Sequence, residues 1–497
     1  MSSSPSPARV RFAPSPTGYL HLGGARTALY DYLLARQSGG DFILRIEDTD
    51  RKRYQEDAEK DFQKALHWLG TPWDEGPDVG GPHSPYRQSL RKGIYQEHAR
   101  RLVTEGKAYY CFCDAERLER IREKQLKNNE NPRYDGKCRG IDPQQAAPRV
   151  ETGEPHVIRF KAPREGTTTA VDLLRGEITV DNSRLDDIIL VKSNGLPVYH
   201  LAAMVDDHLM EISHVIRGSE WLPTFPIHKL IYKAFGWEEP VWVHLSVLLK
   251  PDGQGKMSKR DVEAAQESGL PIFIKDMEAL GYLPEAVANW IALMGWSYDD
   301  KTEFFTLDDL IEKFSLEKLN PSPAAINFSK LDHFNGLHIR HLEVADLAQR
   351  IRPYFEQAGL EVDEERLVAV AAAIQTRTKK LTEVVEMAGF FFREEVALAP
   401  ERIVSRKLTA DQAAKAAGKI IKLFENLEEI DQEHAEGPLR DLAGEMELKA
   451  GQLFGLLREA LTGQRVSPPI FDVTTILGKK TTLERLENAR EALKKYP

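Results

Sequence analysis

The stretch Arg9–Arg36, RVRFAPSPTGYLHLGGARTALYDYLLAR, constrains this 497-residue chain more than any other. A short apolar alternation at Val10 and Phe12 gives way to a Pro-Ser-Pro-Thr-Gly turn, then to apolar residues at helical spacing: Leu22, Ala25, Ala28, Leu29, Tyr32 and Leu33. That order predicts a strand, a tight loop and a helix. His21 stands where the helix begins, and Gly23 and Gly24 follow in its first turn, where a bulkier side chain would hold a ligand away from the backbone. Free helix-start N–H groups, a histidine donor and glycines make a place for phosphate and a flat ring. Alone, the pattern fits a plain βα turn as well as a nucleotide site.

The length predicts two to four domains, and 41% hydrophobic residues suffice to bury a core in each. No window approaches eighteen uninterrupted apolar residues and MSSSPSPAR is short and polar, so neither a membrane span nor a signal peptide is expected, and cytoplasm is the default location. Three cysteines within one region argue against a disulfide framework. A net charge of −10 argues mildly against nucleic-acid binding, although an acidic protein can carry local basic faces. Candidates are Arg117, Arg120, Arg122, Lys124, Lys127, Arg133, Lys137 and Arg139, and again Arg377, Lys379, Lys380, Arg402, Arg406 and Lys407; their plain reading is a solvated helix face.

In chain order, Phe42–Ile46 reads as a second buried strand that ends in acids, placing Glu47 at a strand's carboxyl end, where an open α/β sheet meets its ligand. Helical patterns and the strand AYYCFC follow. From about 114 to 196, charged helix, loops and the short strands HVIRF, EITVDN and DIILVKS look like an insertion, after which a helix from Tyr199 and a strand ending at Arg217 resume the sheet. Asp206, Asp207 and His208 are adjacent on a helix and point in different directions, so capping or surface polarity is expected there rather than a metal. Beyond about Asp332 the apolar spacing is helical throughout, in 343–358, 364–392, 410–427, 439–462 and 481–495. The fold class is therefore α/β, a Rossmann-like parallel-sheet domain with an α+β insertion, followed by an all-α half.

A second motif, Lys256-Met257-Ser258-Lys259-Arg260, follows Pro251, Gly253 and Gly255. Three cations on a Gly-rich loop would otherwise be a solvated charge run. Paired in this order with PSPTGYLHLGGARTAL, the motif resembles the second signature of class I aminoacyl-tRNA synthetases, and in detail the pair is similar to that of the bacterial-type glutamyl-tRNA synthetases. The resemblance extends over almost the whole chain.

It implies an ATP-dependent ligase that forms glutamyl-adenylate and passes glutamate to the 3′ end of tRNA(Glu), with Mg²⁺ accompanying ATP. By the same resemblance His21, Lys256 and Lys259 are catalytic; His21, Gly23, Gly24, Glu220, Trp221, Lys256 and Lys259 bind ATP; and Arg11, Ala13, Ser15, Glu47, Tyr199 and Arg217 bind glutamate. Ala203 stands where the family leads one to expect asparagine. Cys111, Cys113 and Cys138 match the spacing of a zinc site found in part of the family, but Gly140 replaces the expected histidine, leaving Asp142 or water as a fourth ligand, or a remnant with free thiols. The implied domains are a catalytic domain in two halves (1–113 and 197–250), an acceptor-end-binding insertion (114–196), a KMSKR-loop and stem-contact domain (251–331) and a helical anticodon-binding domain (332–497). A monomer is expected. The rivals are a catalytically inactive tRNA-binding paralogue, opposed by intact His21, Gly23, Lys256 and Lys259, and a tRNA-modifying glutamyl-Q-type enzyme, opposed by the chain's length. Arg377 lies near the position where relatives that discriminate between tRNAs carry an arginine.

Overall fold

The computed structural model describes residues 7–50, 52–253, 255, 270–404 and 408–496. It divides into two compact units, Met1–Glu278 with Val287–Phe328, and Ala279–Ala286 with Ser329–Pro497.

In the first unit, strand β1 (Arg9–Phe12) leads through the Pro-rich turn into helix α1 (Leu22–Ser38), and β2 (Asp41–Leu44) returns parallel to β1, Arg9 opposite Asp41 and Phe12 opposite Leu44. The αL glycine Gly39 ends α1, and its N–H donates to the Ala35 and Arg36 carbonyls. Helices α2 (Glu56–Trp68) and α3 (Lys92–Thr104) precede β3 (Ala108–Cys111). Next come α4 (Ala115–Lys127), α5 (Pro143–Glu151) and four short strands, β4 (Val157–Phe160), β5 (Thr167–Asp172), β6 (Gly176–Asp181) and β7 (Ile189–Val191). β3, β4 and β7 form one antiparallel sheet, whereas β5 and β6 pair as a hairpin.

Helix α6 (Tyr199–Leu209), β8 (His214–Gly218), α7 (Phe225–Phe235) and β9 (Val241–Leu245) complete the parallel part, with β8 beside β9. The Ser213 N–H donates to the Arg9 carbonyl at 2.9 Å, so β8 also starts beside β1. The carboxyl ends of β1, β2, β8 and β9 consequently open on one side. Strand β2 stops at Leu44, short of the predicted Ile46, although Ile46 still forms a parallel bridge with Arg87.

The second unit is helical among its described residues, its long helices being Phe328–His341 (from its second residue), Val344–Gln357, Glu364–Ile374, Ala410–Glu425, Gln432–Glu445, Ala450–Thr462 and Ile470–Lys494. Leu347, Ile351, Phe355, Leu367, Ile420, Phe424, Leu456 and Leu486 share its core. The run 364–392, apolar at helical spacing, is broken after Ile374, and the 439–462 pattern belongs to two helices. Among the described residues no helix is long and apolar enough to cross a membrane.

Buried Asn335 ties this unit together: its Oδ1 accepts from the Leu283 N–H at 2.8 Å and its Nδ2 donates to the Lys379 carbonyl at 2.5 Å. Replacing it with leucine strands both backbone groups, so Asn335→Leu is expected to lower the unfolding free energy of this unit by about 2–4 kcal/mol in urea titrations. A change within experimental error would show that those groups find other partners.

Candidate active site

Strand ends and one helix bring an unusual number of charges together away from water. Arg11 projects from β1, Arg45 follows β2, and Asp206 and Asp207 lie on α6, all buried. Asp207 Oδ1 accepts from Arg11 Nε and from Arg45 Nη1, both at 2.8 Å, and its Oδ2 accepts from Arg11 Nη2 at 3.3 Å. Burial alone would raise the Asp207 pKa, but Arg11 and Arg45 outweigh it and hold this carboxyl below its ordinary range. Asp206 turns the other way and accepts from Arg91 Nε (2.8 Å), Gln88 Nε2 (3.0 Å) and the Tyr95 hydroxyl (2.7 Å). The expectation of capping or surface polarity is therefore corrected: the two aspartates do diverge, but into buried networks rather than solvent.

Glu47 adjoins this cluster. Arg45 Nη2 donates to its Oε1 at 3.1 Å and its backbone N–H donates to the Pro14 carbonyl at 3.0 Å, which seats the turn carrying half-buried Ala13 and exposed Ser15 beside it. Burial pushes the Glu47 carboxyl up to about 7, against the pull of Arg45 and Arg11. Asp31 on α1 is fully buried with neither oxygen hydrogen-bonded, and burial raises its carboxyl pKa well above the ordinary range.

Arg217 is different. Its Nε donates to His244 Nε2 (2.9 Å), its Nη2 to His228 Nδ1 (2.9 Å) and its Nη1 to the Tyr199 hydroxyl (3.3 Å), while the Trp242 ring lies 4.8 Å from the guanidinium carbon. Among the described residues no carboxylate lies within ion-pair distance of it, and burial lowers its pKa. A buried guanidinium held by neutral groups costs solvation free energy that an incoming carboxylate can recover. Tyr199 links the two clusters: it holds Arg217, lies within electrostatic range of Glu47 and Arg11, and stacks on Trp221 with ring centroids 3.8 Å apart.

At the other wall His21 caps α1, its Nδ1 accepting from the Gly24 N–H at 3.2 Å; in the neutral ring the proton then sits on Nε2, as a donor. A Cβ on Gly23 would stand 3.2 Å from that ring, and one on Gly24 3.1 Å from Leu20. These glycines thus make room for the histidine and for packing as well as for a ligand. The helix start is less free than expected, because the Leu22 N–H donates to the Ile272 carbonyl at 3.1 Å and the Gly24 N–H is taken by His21. Exposed Glu220 folds over Gly218. Lys256 and Lys259 lie outside the described residues, as do Arg406 and Lys407. Ala203 sits in the apolar core and offers no polar contact.

The three cysteines converge, their sulfurs within 4.8 Å of one another. The Tyr134 hydroxyl stands among them, 3.4 Å from Cys111 Sγ and 3.5 Å from Cys113 Sγ, and accepts from the Cys138 N–H at 2.9 Å. Asp142 is committed to capping α5 through the Gln144 N–H, and no side chain occupies the space beside Gly140. Four of the eight cations of the basic run at 117–139 are ion-paired: Arg117 with Asp135, Arg120 with Glu116, Arg122 with Glu119 and Arg139 with Asp187. In the second unit Arg377 Nη1 donates to the Ser467 carbonyl, whose hydroxyl accepts from Arg458 Nε.

Sequence reasoning missed Arg45, Arg91, Asp206, Asp207, His228 and His244. The available signal was a charge at an apolar position, as in FILRIE and HLAAMVDDHLM. Asp207→Asn leaves two buried guanidiniums short of an anion and is expected to cost about 3–5 kcal/mol of first-unit stability in denaturant titrations; a cost below about 1 kcal/mol would mean that the pairing is not what holds the arginines.

Two family models match the chain: "tRNA synthetases class I (E and Q), catalytic domain" over residues 7–333, and "Anticodon binding domain" over residues 346–490. A glutamate–tRNA ligase of Dehalococcoides mccartyi is 46% identical over 494 residues, covering 98% of this chain and 99% of the relative. That of Roseiflexus sp. is 46% identical over 504 residues, covering 99% and 98%. Among solved structures, a glutamate tRNA ligase from Elizabethkingia meningosepticum in complex with its amino acid superposes with a TM-score of 0.90 at 35% identity, covering 98% of this chain and 100% of that one. With both models matched in order and near-complete coverage of these relatives, the chain belongs to the class I tRNA synthetases of the E and Q family.

Proposed function

We propose that this chain is a glutamate–tRNA ligase: glutamate and ATP give glutamyl-adenylate and pyrophosphate, and the 3′-terminal ribose of tRNA(Glu) then takes the glutamyl group with release of AMP. The observation that carries the choice of amino acid is Arg217, a buried guanidinium with no carboxylate of its own among the described residues, whose partner Tyr199 is also within electrostatic range of Glu47. Glutamate brings two carboxylates and one ammonium. Arg11 and Arg217 receive the carboxylates, Glu47 the ammonium, and Tyr199, Ser15 and the backbone at Ala13 complete the pocket. Glutamine puts an amide where glutamate has its second carboxylate, and so leaves the pocket's cationic charge short of an anion.

Attack by the α-carboxylate on the α-phosphate needs in-line placement and donors aimed at the developing charge. His21 Nε2–H supplies one, beside Gly23 and Gly24; Lys256 and Lys259 approach the outgoing pyrophosphate; and Glu220 and Trp221 border the nucleotide. Mg²⁺ bound with ATP neutralises phosphate charge. Residues 114–196 receive the acceptor end, 251–331 the stem and 332–497 the anticodon, in a monomeric cytoplasmic enzyme. The three cysteines, with the Tyr134 oxygen as fourth donor, have the chemistry of a structural zinc site.

Charging assays with purified tRNA(Glu) and either amino acid test the reading. The kcat/KM for glutamate is expected to exceed that for glutamine by on the order of 10⁴; comparable values, or no charging by protein that still binds tRNA, would contradict it.

A further inference from the structure

The contacts of Arg217 extend two layers outward and reach the segment inserted between β3 and α6. An arginine can only donate, so both ring nitrogens facing it, His244 Nε2 and His228 Nδ1, must be lone-pair acceptors. The proton of His244 therefore sits on Nδ1, which donates to Asp172 Oδ2 at 2.7 Å. By the same reasoning His228 carries its proton on Nε2 and donates to His200 Nδ1 at 2.9 Å. Burial lowers the pKa of both His244 and His228, keeping the rings neutral.

Asp172 is the last residue of β5 and is 1% exposed. Its Oδ2 also accepts from the His244 N–H at 2.9 Å, while its Oδ1 accepts from the N–H groups of Leu174 (3.1 Å) and Arg175 (3.0 Å), closing the β5–β6 turn. The Leu173 N–H donates to the Trp242 carbonyl at 2.8 Å, so the hairpin turn is bonded along β9. One carboxylate thus fastens the hairpin with one oxygen and sets a ring tautomer with the other.

We propose that Asp172 and His244 are positioning residues for glutamate binding: Asp172 fixes the Nδ1–H tautomer of His244, whose Nε2 then orients Arg217 toward the substrate carboxylate, so that seating of the β5–β6 hairpin controls the amino-acid site. The proposal deepens the reading given above and rests on Arg217 contacting glutamate. It assigns a role to a residue of the 114–196 segment that touches neither substrate.

The test compares Asp172→Asn with Asp172→Ala in full-length protein, reading the KM of glutamate and of ATP in tRNA charging together with the melting temperature. An asparagine that keeps its oxygen on the two turn N–H groups sets its amide nitrogen against the His244 N–H and Nδ1, driving the ring proton onto Nε2, where it faces the Arg217 N–H; this is the wrong tautomer. Alanine leaves the ring free to choose. Asp172→Asn is therefore expected to raise the glutamate KM about tenfold or more, as for a lost hydrogen bond to a charged group, with the ATP KM within about twofold of wild type, and to be worse than Asp172→Ala. His244→Phe, which keeps an aromatic ring and removes the acceptor, is expected to show the same glutamate-selective loss, and it serves as the readout if the Asp172 variants do not fold. A glutamate KM within about twofold of wild type, or equal rises in both KM values, overturns the proposal. Arg217→Lys separates the two readings: if it raises the glutamate KM while Asp172→Asn and His244→Phe do not, only the positioning role fails; if it leaves that KM unmoved, the assignment of Arg217 and the proposal fall together.

Discussion

Asp207 is the constraint on which the proposed amino-acid pocket depends. It is fully buried between Arg11, which lies on β1, and Arg45, which directly follows β2. Removing three such charges from water is costly, and the cost is met only where the carboxyl ends of β1 and β2 and the flank of α6 arrive together. Correct assembly of the sheet and correct placement of Arg11 are thus one event. The arrangement also keeps the arginine side chains from rearranging, since turning either one away would leave the carboxylate short of a partner.

Against that neutralised framework Arg217 stands out because, among the described residues, imidazoles, a phenol and an indole face surround it instead of anions. The same buried space holds Glu47, whose carboxyl burial raises to about 7. A free cation and a titrating acid are complementary to an amino acid with an extra carboxylate. Selectivity in such a pocket comes from charges left unpaired by the wrong ligand rather than from the area of contact. Trp221 stacked on Tyr199 places the proposed nucleotide border against the amino-acid pocket, which is the adjacency that adenylate formation needs.

Local patterns carried much of this organisation. The strand, turn and helix of Arg9–Arg36 and the helical spacing of the second half are period signals, and the observed elements follow them. Elements whose definition is tertiary were hidden. TTTAVD of β5 gave no clear strand signal, because its partner β6 is mostly exposed and little apolar surface marks the face. The burial of Asp207 depends on Arg11, 196 positions away, and the link between Asp172 and His244 spans 72 positions. No local rule reports such pairs. The long apolar run of 364–392 kept a helical period across a break made by tertiary contacts, in which Gly281 meets Leu381.

The claim that the pocket is an electrostatic complement to glutamate is tested most directly by the pH dependence of the glutamate KM between pH 8 and pH 6, where the substrate's own groups do not titrate. Glu47 must be ionised to receive the ammonium, and its raised pKa means that protonation begins within this window. The account predicts a KM that rises about tenfold on going from pH 8 to pH 6, following a single group near 7, and a flat profile in Glu47→Gln. A wild-type KM that stays constant across the window would contradict it.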